Sequence, residues 1–161
     1  MSNLTNSNSD LIQGLVLLLR SEIGDGSNGF STNSEYNVPN VWGESVPDSA
    51  RQEYPRGTVD VISGNDFELS VDLGIRLREV TVKFVVFAKA NGPVEELIDD
   101  IEDTVAGEWE KDNPDTGNPY LGDWSLREVD GFTDLNESKE TEGDLRYSRS
   151  VDVIFETIKN N

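Results

Sequence analysis

Apolar residues along this chain recur with two periods, and the switches between them mark out its elements. Leu11, Leu15, Leu18 and Leu19 share one stripe of a 3.6-residue period, so a first helix is expected over residues 11–23. Asp10 followed by Gln13 makes a capping-box-like start, and Gly24 supplies a stop. Ile12, Val16 and Leu17 widen the stripe, so other parts of the protein should cover much of this helix. Residues 24–56 follow neither period and are rich in Gly, Ser, Asn and Pro, which predicts a long loop pinned to the body by Trp42, Val46 and Tyr54.

The next segment alternates. "TVDVIS", residues 58–63, reads as a short strand, and the "GND" that follows reads as a turn. Phe67, Leu69, Val71, Leu73, Ile75 and Leu77 then alternate on odd positions, while Val80, Val82, Phe84 and Val86 alternate on even ones. A one-residue slip exchanges the two faces of a strand, so a bulge or bend is expected near Arg78 and Glu79, with Gly74 as a second break or a turn. Helical spacing returns at Val94, Leu97, Ile98, Ile101, Val105 and Trp109, with Pro93 at the first helical position. "DWSLREVD" and, past a polar hairpin loop, "LRYSRSVDVIFETI" read as two last strands, with Leu145, Tyr147, Val151, Val153 and Phe155 on one face. The order predicts an α+β fold: a mostly antiparallel sheet with two main helices packed on one face, as a single domain over residues 1–161. No internal repeat or composition break divides it.

Charge changes this picture only on the surface. The chain has 32 acidic and 13 basic residues, a net charge of -19, and 35% hydrophobic residues, a balance that drifts toward disorder unless local patterning overrides it, as it does here. Cysteine and histidine are both absent, which removes disulfides, thiolate zinc sites, cysteine nucleophiles and the imidazole base of most acid–base and triad chemistry. "MSNLTNSNSD" lacks a basic leader segment and "LIQGLVLLL" is too short to span a bilayer, so a soluble, unprocessed protein with no membrane partner is expected. Arginine outnumbers lysine eight to five, and an acidic surface poor in lysine resembles proteins of salt-loving archaea and their viruses. Dense carboxylates repel one another in dilute salt, whereas molar salt cuts the screening length to about 3 Å and makes such a surface tolerable.

The densest acid run lies on the second helix. Glu95, Glu96, Asp99, Asp100, Glu102 and Asp103 occupy the arc opposite its apolar stripe, with Glu108 at the edge. A catalytic pair needs one carboxyl desolvated beside an ionised neighbour, which a solvated face does not supply, so these acids read as solubilising surface. "DNPDTGN", residues 112–118, has the composition of a calcium loop, but Pro114 occupies a ligand position. "GDGSNG", residues 24–29, follows a helix and lacks the Lys-Ser/Thr pair of a phosphate loop, so it reads as a flexible linker. No run of lysine and arginine suits a phosphate backbone; Arg76, Arg78, Arg146 and Arg149 read better as cross-strand partners of acids than as a basic patch. No catalytic residue, metal or cofactor is expected.

This order of elements resembles the tail terminator (tail-completion) family of long-tailed viruses, here of haloarchaeal type. The resemblance is carried by the polar start and first helix, "YPRGTVDV" opening the sheet, "REVTVKFVVFAK", the helix "PVEELIDDIEDTV" and the last strand "YSRSVDVIFETI". It implies a subunit that assembles, commonly as a hexameric ring, on the tail tube protein and joins a neck or head-closure protein. Genome DNA would pass through the lumen without specific binding. It also implies a place in the tail-neck region of the virion and, during assembly, in the host cytoplasm. The family's features do not map residue by residue onto this chain; as contacts of such a ring, Thr133, Asn136, Glu137 and Lys139 in the polar hairpin of residues 133–143, together with Arg76, Arg78 and Arg149, are expected. A head-closure or other neck protein shares the same plan. From another class, an acidic DNA mimic would carry similar charge but would lose its basic partner as salt rises.

Overall fold

The computed structural model describes residues 7–26, 28–43, 45–70, 74–110, 120, 124–132, 136–139 and 145–160. Helix α1 runs Asn8–Glu22 and begins before the apolar stripe because its N-cap is Ser7, not Asp10. The Ser7 hydroxyl oxygen accepts from the Asp10 backbone N–H at 3.0 Å, and Asp10 itself lies in the first turn, where a carboxylate suits the positive end of the helix dipole. The stop is the expected one. Gly24 has φ +68°, the left-handed conformation that terminates a helix, and its N–H donates to the Leu19 carbonyl at 3.2 Å.

Strands β1 (Val41–Trp42), β2 (Arg56–Ser70), β3 (Ile75–Ala88), β4 (Ser125–Phe132), β5 (Asn136–Lys139) and β6 (Leu145–Asn160) form one sheet. Its order is β1-β2-β3-β6-β4, with β5 also on β6. Every pairing is antiparallel except the short β1–β2 contact. Helix α2 (Asn91–Glu110) and α1 bury their apolar stripes in a single core with Val59 of β2, the even-numbered residues of β3 from Val80 to Ala88, and Val151, Val153 and Phe155 of β6. The fold is therefore α+β, with both helices on one face of a mostly antiparallel sheet. Pro93 sits in the first turn of α2 rather than at its first position.

Two sequence expectations about the sheet are corrected. The "GND" turn does not exist: Gly64 and Asp66 lie inside β2, paired with Val80 and Arg78. A Cβ at Gly64 would sit 3.2 Å from Val80 Cγ1, so this glycine marks a close approach inside a strand rather than a chain reversal. The turn belongs to Gly74, at φ +64° just before β3. Nor does β3 bulge at Arg78 and Glu79, since it pairs residue by residue with β6 from Ile75 to Ala88. The irregularities of the β2–β3 pair lie in β2, between Val61 and Ser63 and between Glu68 and Ser70, and β4 has two more, between Leu126 and Glu128 and between Val129 and Gly131. The slip in the hydrophobic pattern has a different meaning: Phe67 and Leu77 occupy the face of the sheet away from the helices, where Val80, Val82 and Phe84 do not point.

The expected long loop is a folded segment. Phe30, Val41 and Ala50 are fully buried in it, whereas Trp42, Val46 and Tyr54, the expected pins, are half-buried. Two buried asparagines organise the chain around them. Asn33 Oδ1 accepts from the N–H groups of Glu35 and Tyr36, and its Nδ2 donates to Ser49 Oγ. Asn40 Nδ2 donates to the Ala50 and Glu53 carbonyls, and its Oδ1 accepts from Trp42 Nε1 at 2.6 Å. The glycine-rich residues 24–29 are tied back as well, because the Phe30 N–H donates to the Gly24 carbonyl. The polar hairpin also differs from a bare loop: Asn136–Lys139 pair with β6 opposite Ser148 to Leu145. Residues 112–118, the calcium-like stretch, lie outside the described residues.

Candidate functional site: an acidic helix face and a three-stranded arm

Helix α2 presents its acids to water as its period requires. Glu95, Glu96, Asp99, Asp100 and Asp103 are exposed, Glu102 is half-exposed, and Val94, Leu97, Ile98, Ile101 and Val105 are buried beneath them. Partial desolvation raises the Asp100 pKa above its ordinary value, with further increments from Asp103, Glu96 and Asp99. Glu102 is raised by desolvation and then by Asp103 and Asp99. Among the described residues no three acidic side chains converge closely enough to hold a metal ion. An open cleft of about 460 Å³ between the end of α1, the start of the folded segment and α2 is lined by Glu22, Asp25, Asp100 and Asp103. One of these acids is already engaged: Asp25 accepts from Thr32 Oγ1 at 2.7 Å.

These shifts have a definite sign. A carboxyl whose pKa is higher in the folded state than in the unfolded chain destabilises the fold when both are ionised, and the penalty fades as pH falls through the folded value. Asp100→Asn and Glu102→Gln are therefore expected to raise the thermal midpoint at neutral pH and low salt. The gain should shrink toward the carboxylate range and in molar salt, which thermal scans across pH and salt would measure. An equal gain at every pH would show that ionisation of these carboxyls is not its cause.

Beyond the helix-covered core, the ends of β2, β3 and β6 continue as a three-stranded arm. Arg78 grips Asp66 across the β2–β3 pair with two hydrogen bonds, Nε to Oδ1 at 2.9 Å and Nη2 to Oδ2 at 3.2 Å. The hydrogen bond to Asp66 raises the Arg78 pKa, and burial partly offsets it. Arg76 approaches the same carboxylate at 3.9 Å. Arg149 lies opposite Val86, eight residues along β3 from Arg78, and faces Glu95 of α2 at 3.8 Å. Arg76, Arg78 and Arg149 thus each lie against an acid, and the side chain of Arg146 lies outside the described residues. Of the other expected interface positions, Asn136, Glu137 and Lys139 lie in β5 at the opposite edge of the sheet, and Thr133 lies outside the described residues.

Sequence reasoning missed the apolar side of the arm. Phe67, Leu77 and Ile158 are cross-strand neighbours in a single row on the face away from the helices, with Phe67 47% and Ile158 45% exposed. Leu69 and Ile62, at the two irregular points of β2, are 56% and 50% exposed. The signal was present as the odd-position alternation, but alternation does not say which face the helices cover. A second apolar spot lies along α1, where Leu17 is half-exposed beside Trp42, and Arg20 stacks 4.6 Å from the Trp42 ring while donating to the Val41 carbonyl.

The class these features define is an α+β protein with an acid-coated helix layer and an uncovered, partly apolar sheet extension. No protein-family model matches the chain, and no curated protein matches it significantly. Among the described residues no helix is long and apolar enough to cross a membrane.

Proposed function

We propose that this chain is a virion structural subunit that assembles as a ring, in the manner of the tail terminator family, capping the tail tube and joining it to the neck. The observation that carries the reading is the arm: a sheet extension with exposed apolar residues on a molecule otherwise coated with acid. Exposed apolar patches of this kind mark association surfaces, and a subunit that works by assembling uses one directly. The order of elements supports it too, with a first helix, a long antiparallel hairpin, a second helix and closing strands on the same sheet. Tail tube protein and a neck or head-closure protein are the partners on the two sides of the ring, with genome DNA passing through a lumen that does not bind it. The carboxylates of α2 keep each subunit dissolved and ask for no cofactor.

The exposed acid line of α2 favours one rival reading, an acidic mimic of nucleic acid. Molecular mass in solution at molar and at low salt, followed by electron micrographs, separates the two. Rings with a central hole that persist or strengthen in molar salt are expected. A monomer at every salt concentration that binds basic proteins in dilute salt only would overturn the ring in favour of the mimic.

A further inference from the structure

Strand β2 is an edge for most of its length. Its outer neighbour β1 pairs with it only at Gly57 and Thr58, and among the described residues no strand pairs with that side from Val59 to Ser70. Such an edge is a template for another strand, and proteins usually blunt it with proline or lysine, neither of which occurs in residues 59–70. The two irregular points of β2 leave residues 63–68 between them in unbroken register with β3, about the length of an ordinary strand. Each of these six residues is exposed.

The charge of the arm selects the occupant. Residues 62–70, 75–79 and 156–160 contain three basic residues, Arg76, Arg78 and Lys159, against four acidic ones, Asp66, Glu68, Glu79 and Glu156, a net of -1 in a chain of -19. Asp66 is moreover covered by Arg78 and Arg76. Two copies of so acidic a chain repel wherever their helix faces meet, and the arm, close to neutral in sum, is where they approach with the least repulsion. A basic partner would be drawn to α2 instead. We propose that the arm is the surface on which a second copy of this chain docks, adding a strand along residues 63–68 and covering Phe67, Leu77 and Ile158. The inference rests on the ring reading and names its contact.

Geometry fits a repeating contact. The strands β2, β3, β6 and β4 alternate in direction, so the two unlike edges of the sheet, β2 and β4, run antiparallel. A neighbour presenting β4 to β2 therefore continues the antiparallel sheet, and a contact between unlike edges repeats from subunit to subunit, as a ring requires, rather than stopping at a dimer. Glu79 and Glu156 face each other one row from Phe67, Leu77 and Ile158, so bringing a second acidic chain there should require screening.

The test compares the Phe67→Ser/Leu69→Ser variant with a control, Leu17→Ser/Tyr36→Ser, which removes equally exposed apolar residues elsewhere. Mass is measured against protein concentration in molar salt, with thermal midpoints confirming that both variants fold. Assembly of the arm variant should move to at least about tenfold higher concentration, the loss expected on truncating a contact hot spot, while the control assembles like the parent. Amide exchange in residues 63–68 of the parent protein should also slow on assembly. An arm variant that assembles normally, equal losses in both variants, or unchanged exchange in residues 63–68 would overturn the arm as the contact while rings of the parent protein left the ring reading standing. A parent protein that stays monomeric at every salt concentration would sink the ring reading itself, and the arm contact with it.

Discussion

Phe84→Ala is expected to cost about 3–5 kcal/mol of folding free energy, the range for truncating a fully buried aromatic residue. Phe84 has no exposed surface and lies on central strand β3, between Val59 of β2 and Val151 of β6, both fully buried on the same face beneath the helices. Because β3 is hydrogen-bonded on both sides along its length, the backbone there has little freedom to collapse into the vacated space. Domains of this size are stable by only about 5–15 kcal/mol, so the loss is a large share of the total. Denaturant titration in molar salt should show a much lower midpoint with an unchanged slope. Val85→Ala, one residue along on the face away from the helices and half-buried, should cost less than about half as much. Equal losses at the two positions would mean that the sheet is covered on both faces.

Gly14→Ala tests the packing of α1 through the sign of its effect. Within an ordinary helix this change stabilises by about 1 kcal/mol, because glycine has more conformational freedom to lose on folding. Gly14 is buried, and a Cβ there would run into the backbone carbonyl oxygen of Tyr120, which cannot swing aside as a side chain would. The substitution should instead destabilise by about 1–3 kcal/mol, the usual cost of overpacking. Gly107→Ala in α2, where nothing lies within 4 Å of the added carbon, supplies the contrast and should stabilise. Thermal midpoints of the two variants that moved the same way would contradict the close approach of Tyr120 to α1.

Local pattern made much of this fold legible. The apolar stripe of α2 from Val94 to Val105 and the alternation from Val80 to Val86 each sit on one element, where period alone fixes which side chains are neighbours, and both are buried as expected. Legibility ended where a residue type carries two meanings. Glycine, asparagine and aspartate in "GND" read as a turn, yet Gly64 marks a close approach to Val80 and Asp66 serves as the counter-charge of Arg78. Asn33 and Asn40 looked like loop composition, but burial turns their amides into the hydrogen-bonding centres of residues 24–56. Asp10 lost the place of N-cap to Ser7 because both are good caps, and only the backbone geometry separates them.

The candidate site divides in the same way. Spacing alone placed the acids of α2 on one solvated arc and left Arg76 and Arg78 as partners of acids, since charge and helical period are properties of the chain itself. That Phe67, Leu77 and Ile158 form one row, on the side of the sheet without helices and beside an open edge, required register between strands ninety residues apart and the position of both helices. Such contacts are set by which surfaces close over one another, and a linear pattern records that a strand has an apolar face without recording what, if anything, covers it.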